Sequence, residues 1–201
     1  MLENSLGYIL QIATISITLT LGLISVYQTR KIQRGQNIIS VTTNYRLKRT
    51  EQLREFSRCL MSNTNPLLMK LDADNIKMLQ KASDASEAIS TILHRYFDAD
   101  RELIELADNI VQLAVTYNNS NNDERIYYEL VYKRDLFKIK CDIYTTADWN
   151  RIKSETKGTN TSWESWVEYY TEIDKGFTDE INEIKRKYEE LVQNKQLNDG
   201  V

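Results

Sequence analysis

The sequence predicts an all-α protein, with one N-terminal transmembrane helix followed by a cytoplasmic bundle of about five helices. Its 201 residues include one Pro and six Gly, which is sparse turn chemistry for a β-rich fold. Residues 7–27 carry no charge, and beyond them apolar residues recur at the three- and four-residue spacings of helices. We therefore expect an outward N-terminus and transmembrane helix over 1–28, a basic juxtamembrane helix over 29–61, and a cytoplasmic α-helical domain over 62–201.

The uncharged run, GYILQIATISITLTLGLISVY, is long enough for a transmembrane helix. At about 1.5 Å per residue it covers a hydrocarbon core of about 30 Å, and Tyr8 and Tyr27 bracket it as interfacial aromatics would. A cleavable signal peptide is the alternative interpretation. Such a peptide has a basic start, a shorter apolar core and small residues at a cleavage site, whereas this chain begins MLENS. An uncleaved anchor is therefore the better prediction.

The basic residues beside this run predict its orientation. No Lys or Arg precedes the run, and Arg30, Lys31 and Arg34 follow it directly. Because cytoplasmic flanks carry the excess of Lys and Arg, the N-terminus should face outward and the C-terminus should be cytoplasmic. We expect a single-pass protein of the cell inner membrane.

A stripe of small and polar residues follows one face of the predicted span. Lipid gives helices no hydrophobic reason to associate, so small residues that allow close approach and polar groups that bond across an interface favour association. The alternative is that the hydroxyl groups bond back to their own helix. We expect self-association through this stripe, and lining of a polar path in an oligomer is a narrower hypothesis. Its members are Gln11, Thr14, Thr18, Gly22 and Ser25.

Charge is distributed unevenly along the chain. Residues 28–58 carry eight Lys and Arg against two Glu, whereas residues 59–201 carry 18 bases against 26 acids. Bases close to a membrane attract anionic headgroups by about 1 kcal/mol each, and we assign this contact to Arg30, Lys31 and Arg34. The plainer interpretation of these bases is a topology signal on a solvated face. An acidic main domain is not typical of proteins that coat nucleic acid.

The rest of the chain predicts helices separated by short polar segments. SNTNP at 62–66 should break the first helix, because Pro66 disfavours helix in the residue before it. Asp98 to Asp100 should interrupt the chain again, Asp123 is an expected N-cap, and Thr161 and Glu164 form a capping box. The apolar seam that follows Phe177 suits a partner helix in this chain or another. We predict helices over 74–97, 101–118, 124–144, 147–156 and from the capping box to about 194.

No set of residues predicts catalysis or metal binding. The chain has one histidine, His94, and its two cysteines, Cys59 and Cys141, are far apart. GxSxG, Walker, GxGxxG and HExxH motifs do not occur in the sequence. The pairs Asp72/Asp74 and Asp98/Asp100 could bind a hard cation, but helix N-capping explains them more simply. We expect no enzyme activity, no cofactor and no metal.

Aromatic residues leave one ligand hypothesis open. Base or nucleotide stacking is conceivable, with nearby Lys and Arg supplying charge, but most of the rings fall at core spacings and packing is favoured. The rings are Tyr117, Tyr127, Tyr128, Tyr132, Tyr144, Trp149, Trp163 and Trp166, and the bases are Lys133, Arg134, Lys138, Lys140 and Arg151.

The layout of the whole chain resembles small single-span bacterial membrane proteins of unassigned function. One N-terminal span, a basic neck and a compact helical domain with Trp near its end are the shared features. Some proteins of this shape are effectors of antiphage systems, in which a partner restrains or triggers a subunit that damages the membrane. The resemblance lies in layout and implies no residue roles.

Two functional hypotheses follow. The first is a membrane-damaging effector of a bacterial antiviral (abortive-infection) system, which acts by association and is restrained or triggered by a protein partner on its cytoplasmic helices. The second is a passive anchor or scaffold that recruits a soluble partner to the membrane. Both make the lipid bilayer a partner, and they differ only in what the span does.

Overall fold

The computed structural model describes residues 2–71, 74–95, 97–120, 123–157 and 163–199. Within these ranges, side chains are described except at residues 2–13, 15, 34, 35, 38, 70, 71, 163 and 194–199. The described residues form helices joined by short turns, without strands, so the all-α prediction is confirmed. The helices are α1 (Leu2–Asn63), α2 (Pro66–Leu71), α3 (Asn75–Ile92), α4 (Asp98–Asn119), α5 (Glu124–Thr156), α6 (Trp163–Gly176) and α7 (Thr178–Asp199).

The chain divides into two units, residues 1–44 and residues 45–201. In the first unit, every described side chain from residue 16 to residue 33 is exposed. Within the described ranges, no helix offers a stretch that is both long and apolar enough to cross a membrane. The predicted span includes residues 7–13 and 15, whose side chains lie outside the described ones.

The second unit is a helical bundle built around α5. This helix packs against α4, α6 and α7, and α3 packs on α4. The core contains large apolar side chains from five helices, among them Leu60 of α1, Ile89 of α3, Ile110 of α4, Phe137 of α5 and Trp166 of α6, all 2 % exposed or less. The helix predicted over 101–118 is α4, and the apolar residues that recur along it at helical spacings face inward. Leu103, Leu106, Ile110 and Tyr117 are buried, and Leu113 is partly buried.

Local sequence signals explain several helix boundaries. α1 ends at Asn63, three residues before Pro66, and Pro66 then opens α2, where its missing N–H costs nothing. Asn65 caps α2, because its Oδ1 accepts a hydrogen bond from the Leu67 N–H at 3.1 Å. Asp123 caps α5 as predicted, accepting from the Arg125 N–H at 2.8 Å.

Four of the predictions about helix boundaries were wrong. Asp98 to Asp100 do not interrupt the chain, because they form the first turn of α4. The helix predicted over 74–97 ends at Ile92, and the segments 124–144 and 147–156 form the single helix α5. Ala147 and Asp148 are buried in the bundle, so tertiary packing carries the helix through the threonines before them. The predicted final helix is two helices that meet at Phe177, after Gly176, a residue type that commonly ends helices.

The apolar seam of α7 has its partner within this chain. α7 packs on α5, and the Tyr188 ring stacks on Tyr132 with 4.7 Å between the ring centroids. Ile181 and Ile184, on the same face, are partly buried.

Candidate functional site

Four of the polar contacts across the seam between the end of α1 and α5 have regularly spaced partners on α5, and the bond from Arg49 to Tyr144 is a further one. Arg46 pairs with Glu155, and the Thr50 hydroxyl donates to Asp148 Oδ2 at 3.1 Å. Residue numbers rise along α1 as they fall along α5, so the two helices run antiparallel here. The other two contacts join Ser57 Oγ to Cys141 Sγ at 3.3 Å, and Arg134 Nη2 to the Met61 carbonyl at 2.7 Å.

The α5 partners of these contacts are spaced seven residues apart, at 134, 141, 148 and 155. Their α1 partners fall at 46, 50, 57 and 61, which are intervals of four, seven and four residues. Residues seven apart lie on the same face of an α-helix, so these contacts follow one line along α5. Three of these four α5 positions are polar or charged rather than apolar.

Asp100 is the most deeply buried acid among the described residues, with 0 % of its surface exposed. Its Oδ2 accepts from Arg49 Nη2 at 3.1 Å and from the His94 backbone N–H at 2.7 Å. Arg49 Nη2 also donates to the Tyr144 hydroxyl at 2.5 Å. These contacts tie α1, the turn before α4, and α5 together through one carboxylate.

The charge states of this cluster follow from burial and from its neighbours. Burial opposes the charge on Arg49, but Tyr144, Asp100 and Asp148 outweigh it and raise the Arg49 pKa. Burial, with the carboxylates of Asp148 and Asp100, holds the pKa of Tyr144 well above its ordinary value. At neutral pH Arg49 is therefore charged and the Tyr144 phenol is protonated.

Asp148 joins the same cluster from α5. Its Oδ1 accepts from the indole N–H of Trp166 at 2.7 Å, while its Oδ2 accepts from Thr50. Burial raises the pKa of Asp148, although Arg49 and the two donors oppose that shift. The carboxylate thus positions α6 against α1 and α5.

Glu155 is the third buried acid and serves two arginines. It pairs with Arg46 and lies 3.5 Å from Arg151 Nε. Burial, and the neighbouring charge of Arg151, lower the pKa of Arg46 to about 10, so it keeps its charge at neutral pH. Three arginines therefore face three carboxylates, and we name this set the ion lattice: Arg46, Arg49, Arg151, Asp100, Asp148 and Glu155.

The chemistry of the ion lattice suits positioning. Arginine does not give up its proton at physiological pH, and each carboxylate holds an arginine or neutral donors from the bundle. Desolvating such charges cancels much of their mutual attraction, so their net stabilisation is small, while the loss of one partner is costly. The lattice fixes which turn of α1 lies against which turn of α5.

A second, smaller ionic group joins α4, α5 and α6. Lys140 Nζ lies 2.8 Å from Asp174 Oδ1 and 3.3 Å from Glu102 Oε1. Burial opposes the charge, but these two carboxylates outweigh it and raise the pKa of Lys140. Lys140, predicted as a candidate base for a nucleotide, is instead held within the bundle.

The span-association residues are exposed where the structure describes them. The side chains of Thr14, Thr18, Gly22 and Ser25 are exposed on α1, and Gln11 lies outside the described side chains. A Cβ added to Gly22 would have no atom within 4 Å. Thr18 Oγ1 donates to the Thr14 carbonyl at 2.8 Å, which is the local bond considered as the alternative. Because this bond uses the hydroxyl proton, Thr18 can contribute its small side chain and an acceptor oxygen to an association interface.

The residues predicted to contact headgroups, and the first pair of aspartates, are described only in part. Arg30 and Lys31 are exposed, and the Arg34 side chain lies outside the described ones. Asp72 lies outside the described residues, and Asp74, although at the N-cap of α3, makes no side-chain capping bond.

Asp98 and Asp100 point into different surroundings. Asp98 is exposed and bonds Arg101 at 2.5 Å, whereas Asp100 belongs to the ion lattice. The N-cap of α4 is Phe97, so the capping role suggested for these two aspartates was wrong. In the part of the chain that the structure describes, no cluster of three or more His, Cys, Asp or Glu could hold a metal ion.

The aromatic residues are mostly packing residues. Trp166 stacks on Tyr170 at 5.3 Å and meets Tyr144 edge-on at 5.2 Å between ring centroids. Trp149 is 46 % exposed, with the Lys153 ammonium 5.3 Å from its ring centroid. The predicted packing of Tyr117, Tyr144 and Trp166 matches their burial.

Sequence reasoning did not identify the ion lattice. Its residues are charged, so a search for apolar periodicity does not detect them. Arg46 and Arg49 were assigned to the basic juxtamembrane helix over 29–61. The signal that could have found it is the seven-residue spacing of Cys141, Asp148 and Glu155 on α5.

Comparison of the chain with protein-family models, curated proteins and solved structures finds no match.

Proposed function

We propose that this chain is a single-span protein of the inner membrane that acts by association, as a membrane-damaging effector restrained or triggered by a protein partner. The observation that supports the membrane part is the exposed apolar surface of α1. Ile17, Leu19, Leu21 and Leu23 are 60 to 69 % exposed. At about 100° per residue, these residues with Ile24 and Val26 cover roughly 220° of the helix circumference, and the stripe occupies the remaining arc.

The free energy of burying these apolar side chains favours a lipid environment over water. Burying one such side chain is worth about 1.5–3 kcal/mol, so leaving several in water is costly. One partner helix would cover one side of α1 only, whereas a bilayer covers its whole circumference. A helix that is apolar around most of its circumference is typical of a membrane span or a buried core helix.

The same proposal gives the topology and the lipid contact. With Arg30, Lys31 and Arg34 after the span and no base before it, the N-terminus lies outside and the bundle lies in the cytoplasm. Arg30 and Lys31 are exposed and free to reach anionic headgroups.

The effector is preferred to the passive scaffold because of the two helix surfaces on which these hypotheses depend. A scaffold needs a surface that recruits its partner, and the apolar seam after Phe177, which could have supplied one, packs on α5 of the same chain. Three residues of the stripe on α1, by contrast, line an exposed groove of about 480 Å³ together with Leu19, Leu23 and Val26: they are Thr14, Thr18 and Gly22. A groove beside small residues suits close approach of a second copy.

The anchor is tested by placing charge in the span. We expect Ile17→Arg with Leu21→Arg to release the chain from membranes that resist alkaline carbonate extraction, because each arginine near the centre of a span costs about 2.5–3.5 kcal/mol. Leu67→Arg with Leu68→Arg is the matched control, since these bundle leucines are 59 and 47 % exposed. The anchor is refuted if the unmodified chain is extracted by carbonate, or if the span variant stays in the membrane.

Association is tested within the stripe. We expect Gln11→Leu with Thr18→Leu to weaken self-association in a membrane two-hybrid assay and to abolish growth toxicity on overexpression, because added bulk prevents close approach. Ile17→Ala with Ile24→Ala should have less effect, since neither residue lines the groove. Equal association by the wild type and the stripe variant would leave a plain anchor.

A further inference from the structure

A groove lies beside the seam of α1 and α5 and has an apolar floor. Its volume is about 330 Å³, within the range of about 300–1,000 Å³ that small-molecule sites occupy. Leu53 and Phe137, which line it, are 0 to 1 % exposed, and Met61 and Cys141 add further apolar surface. Burial raises the pKa of the Cys141 thiol to about 12, so Cys141 contributes a neutral surface and not a thiolate.

The rim of this groove is basic. Arg54 and Arg58 lie one turn apart on α1, and Lys138 lies on α5. All three are exposed, and none forms an ion pair with a described residue of the chain. Asp142 is the one acid among the lining residues, so the lining carries a net positive charge.

The register of the seam places two of these bases together. Because Ser57 meets Cys141 and Met61 meets Arg134, Arg58 and Lys138 lie at the same level on opposite walls. Two like charges facing each other repel, and an anion between them would remove that repulsion. An apolar floor below such a pair is complementary to a molecule with an apolar tail and an anionic head.

We propose that this groove binds a single-chain lipid with an anionic head, the acyl chain lying on Leu53, Phe137 and Met61 and the head on Arg58 and Lys138, with Arg54 beside them. The site stands on the geometry of the second unit and does not depend on whether α1 spans a membrane. It would give the bundle a lipid ligand of its own, separate from any headgroup contact at Arg30 and Lys31.

The test titrates the full chain with dodecanoate, dodecyl phosphate and the uncharged dodecanol, in nanodiscs if carbonate does not extract the chain and free in solution if it does. We expect saturable binding of at least one anion beyond that of empty nanodiscs, and Arg54→Gln with Arg58→Gln should weaken it about tenfold or more. Lys48→Gln, an exposed base on α1 that does not line the groove, is the matched control. Partition into the lipid is common to all variants and cancels in the comparison.

The two anions separate a carboxylate head from a phosphate head, and saturable binding of either one that the double variant weakens supports the site. Absence of saturable binding, equal binding by the double variant, or dodecanol binding as tightly as the anions would overturn the proposal. Circular dichroism confirms that each variant keeps its helices. Extraction of the wild type by carbonate would refute the anchor and leave this result standing.

Discussion

Asp100→Asn is expected to lower the free energy of unfolding by about 3–5 kcal/mol, because it removes one partner of a buried ion pair. Arg49, whose side chain is 17 % exposed, would keep its charge without the facing carboxylate. The amide of Asn has one acceptor oxygen, whereas Asp100 Oδ2 receives both Arg49 Nη2 and the His94 N–H. Urea denaturation of the detergent-solubilised chain measures the loss, and tryptophan fluorescence follows the bundle, since the three Trp lie between residues 149 and 166.

Asp98→Asn is the matched control for this substitution. Asp98 lies two residues earlier in the same helix and also bonds an arginine, but its side chain is 91 % exposed. Exposed ion pairs contribute about 1 kcal/mol or less. A loss at Asp100 no larger than that at Asp98 would show that the ion lattice does not hold the bundle together.

Apolar periodicity was sufficient to predict that the chain is helical and which face of α4 points inward, although Ile76, which also falls at a helical spacing, is 82 % exposed. Leu103, Leu106 and Ile110 fall at helical spacings and are buried in α4. The same periodicity could not place the end of α3 or the continuity of α5, because those boundaries depend on neighbours distant in sequence. Ala147 and Asp148 remain helical because they face α1 and α6, and local propensity does not contain that information.

The burial of the charged residues could not be predicted from the sequence, for a different reason. A charged residue is usually exposed, so Arg46, Arg49 and Asp100 each have a solvated interpretation until their partners are known. Those partners are 51 to 109 residues away in sequence. The two halves of the polar seam can be recognised only when α1 and α5 are aligned antiparallel. The stripe of residues 11–25, in contrast, follows from sequence spacing alone, and what it contacts stays a prediction.

The polar seam also suggests why charge is kept in the bundle. An apolar heptad seam allows α1 to slide by one turn along α5 at little cost, since one leucine replaces another. A seam with an acid at 148 and 155 and arginines at 46 and 49 allows one register only, because any shift leaves a buried charge without its partner. The ion lattice therefore selects a register more than it adds stability.

Trp166→Ala should be the most destabilising single substitution among the described residues, at about 4–5 kcal/mol, in the upper part of the range for a buried Trp replaced by Ala. Trp166 is 2 % exposed, packs on Tyr144 and Tyr170, and donates to Asp148. Its loss opens a cavity and removes a donor from a buried carboxylate. Trp149→Ala is the control, because Trp149 is 46 % exposed and its removal should cost about 1 kcal/mol or less.

Trp166→Phe separates the two contributions, since it keeps an aromatic ring and deletes the indole N–H. Burial already raises the pKa of Asp148, and loss of this donor should raise it further. An acid whose pKa is higher in the folded state than in the unfolded state destabilises the fold once it is ionised, and protonation relieves that penalty. The stability difference between the wild type and Trp166→Phe should therefore be largest near neutral pH and narrow as the pH falls through the raised pKa. A difference that is constant across that range would mean that the indole contributes packing alone, and that the Asp148 carboxylate does not depend on its N–H.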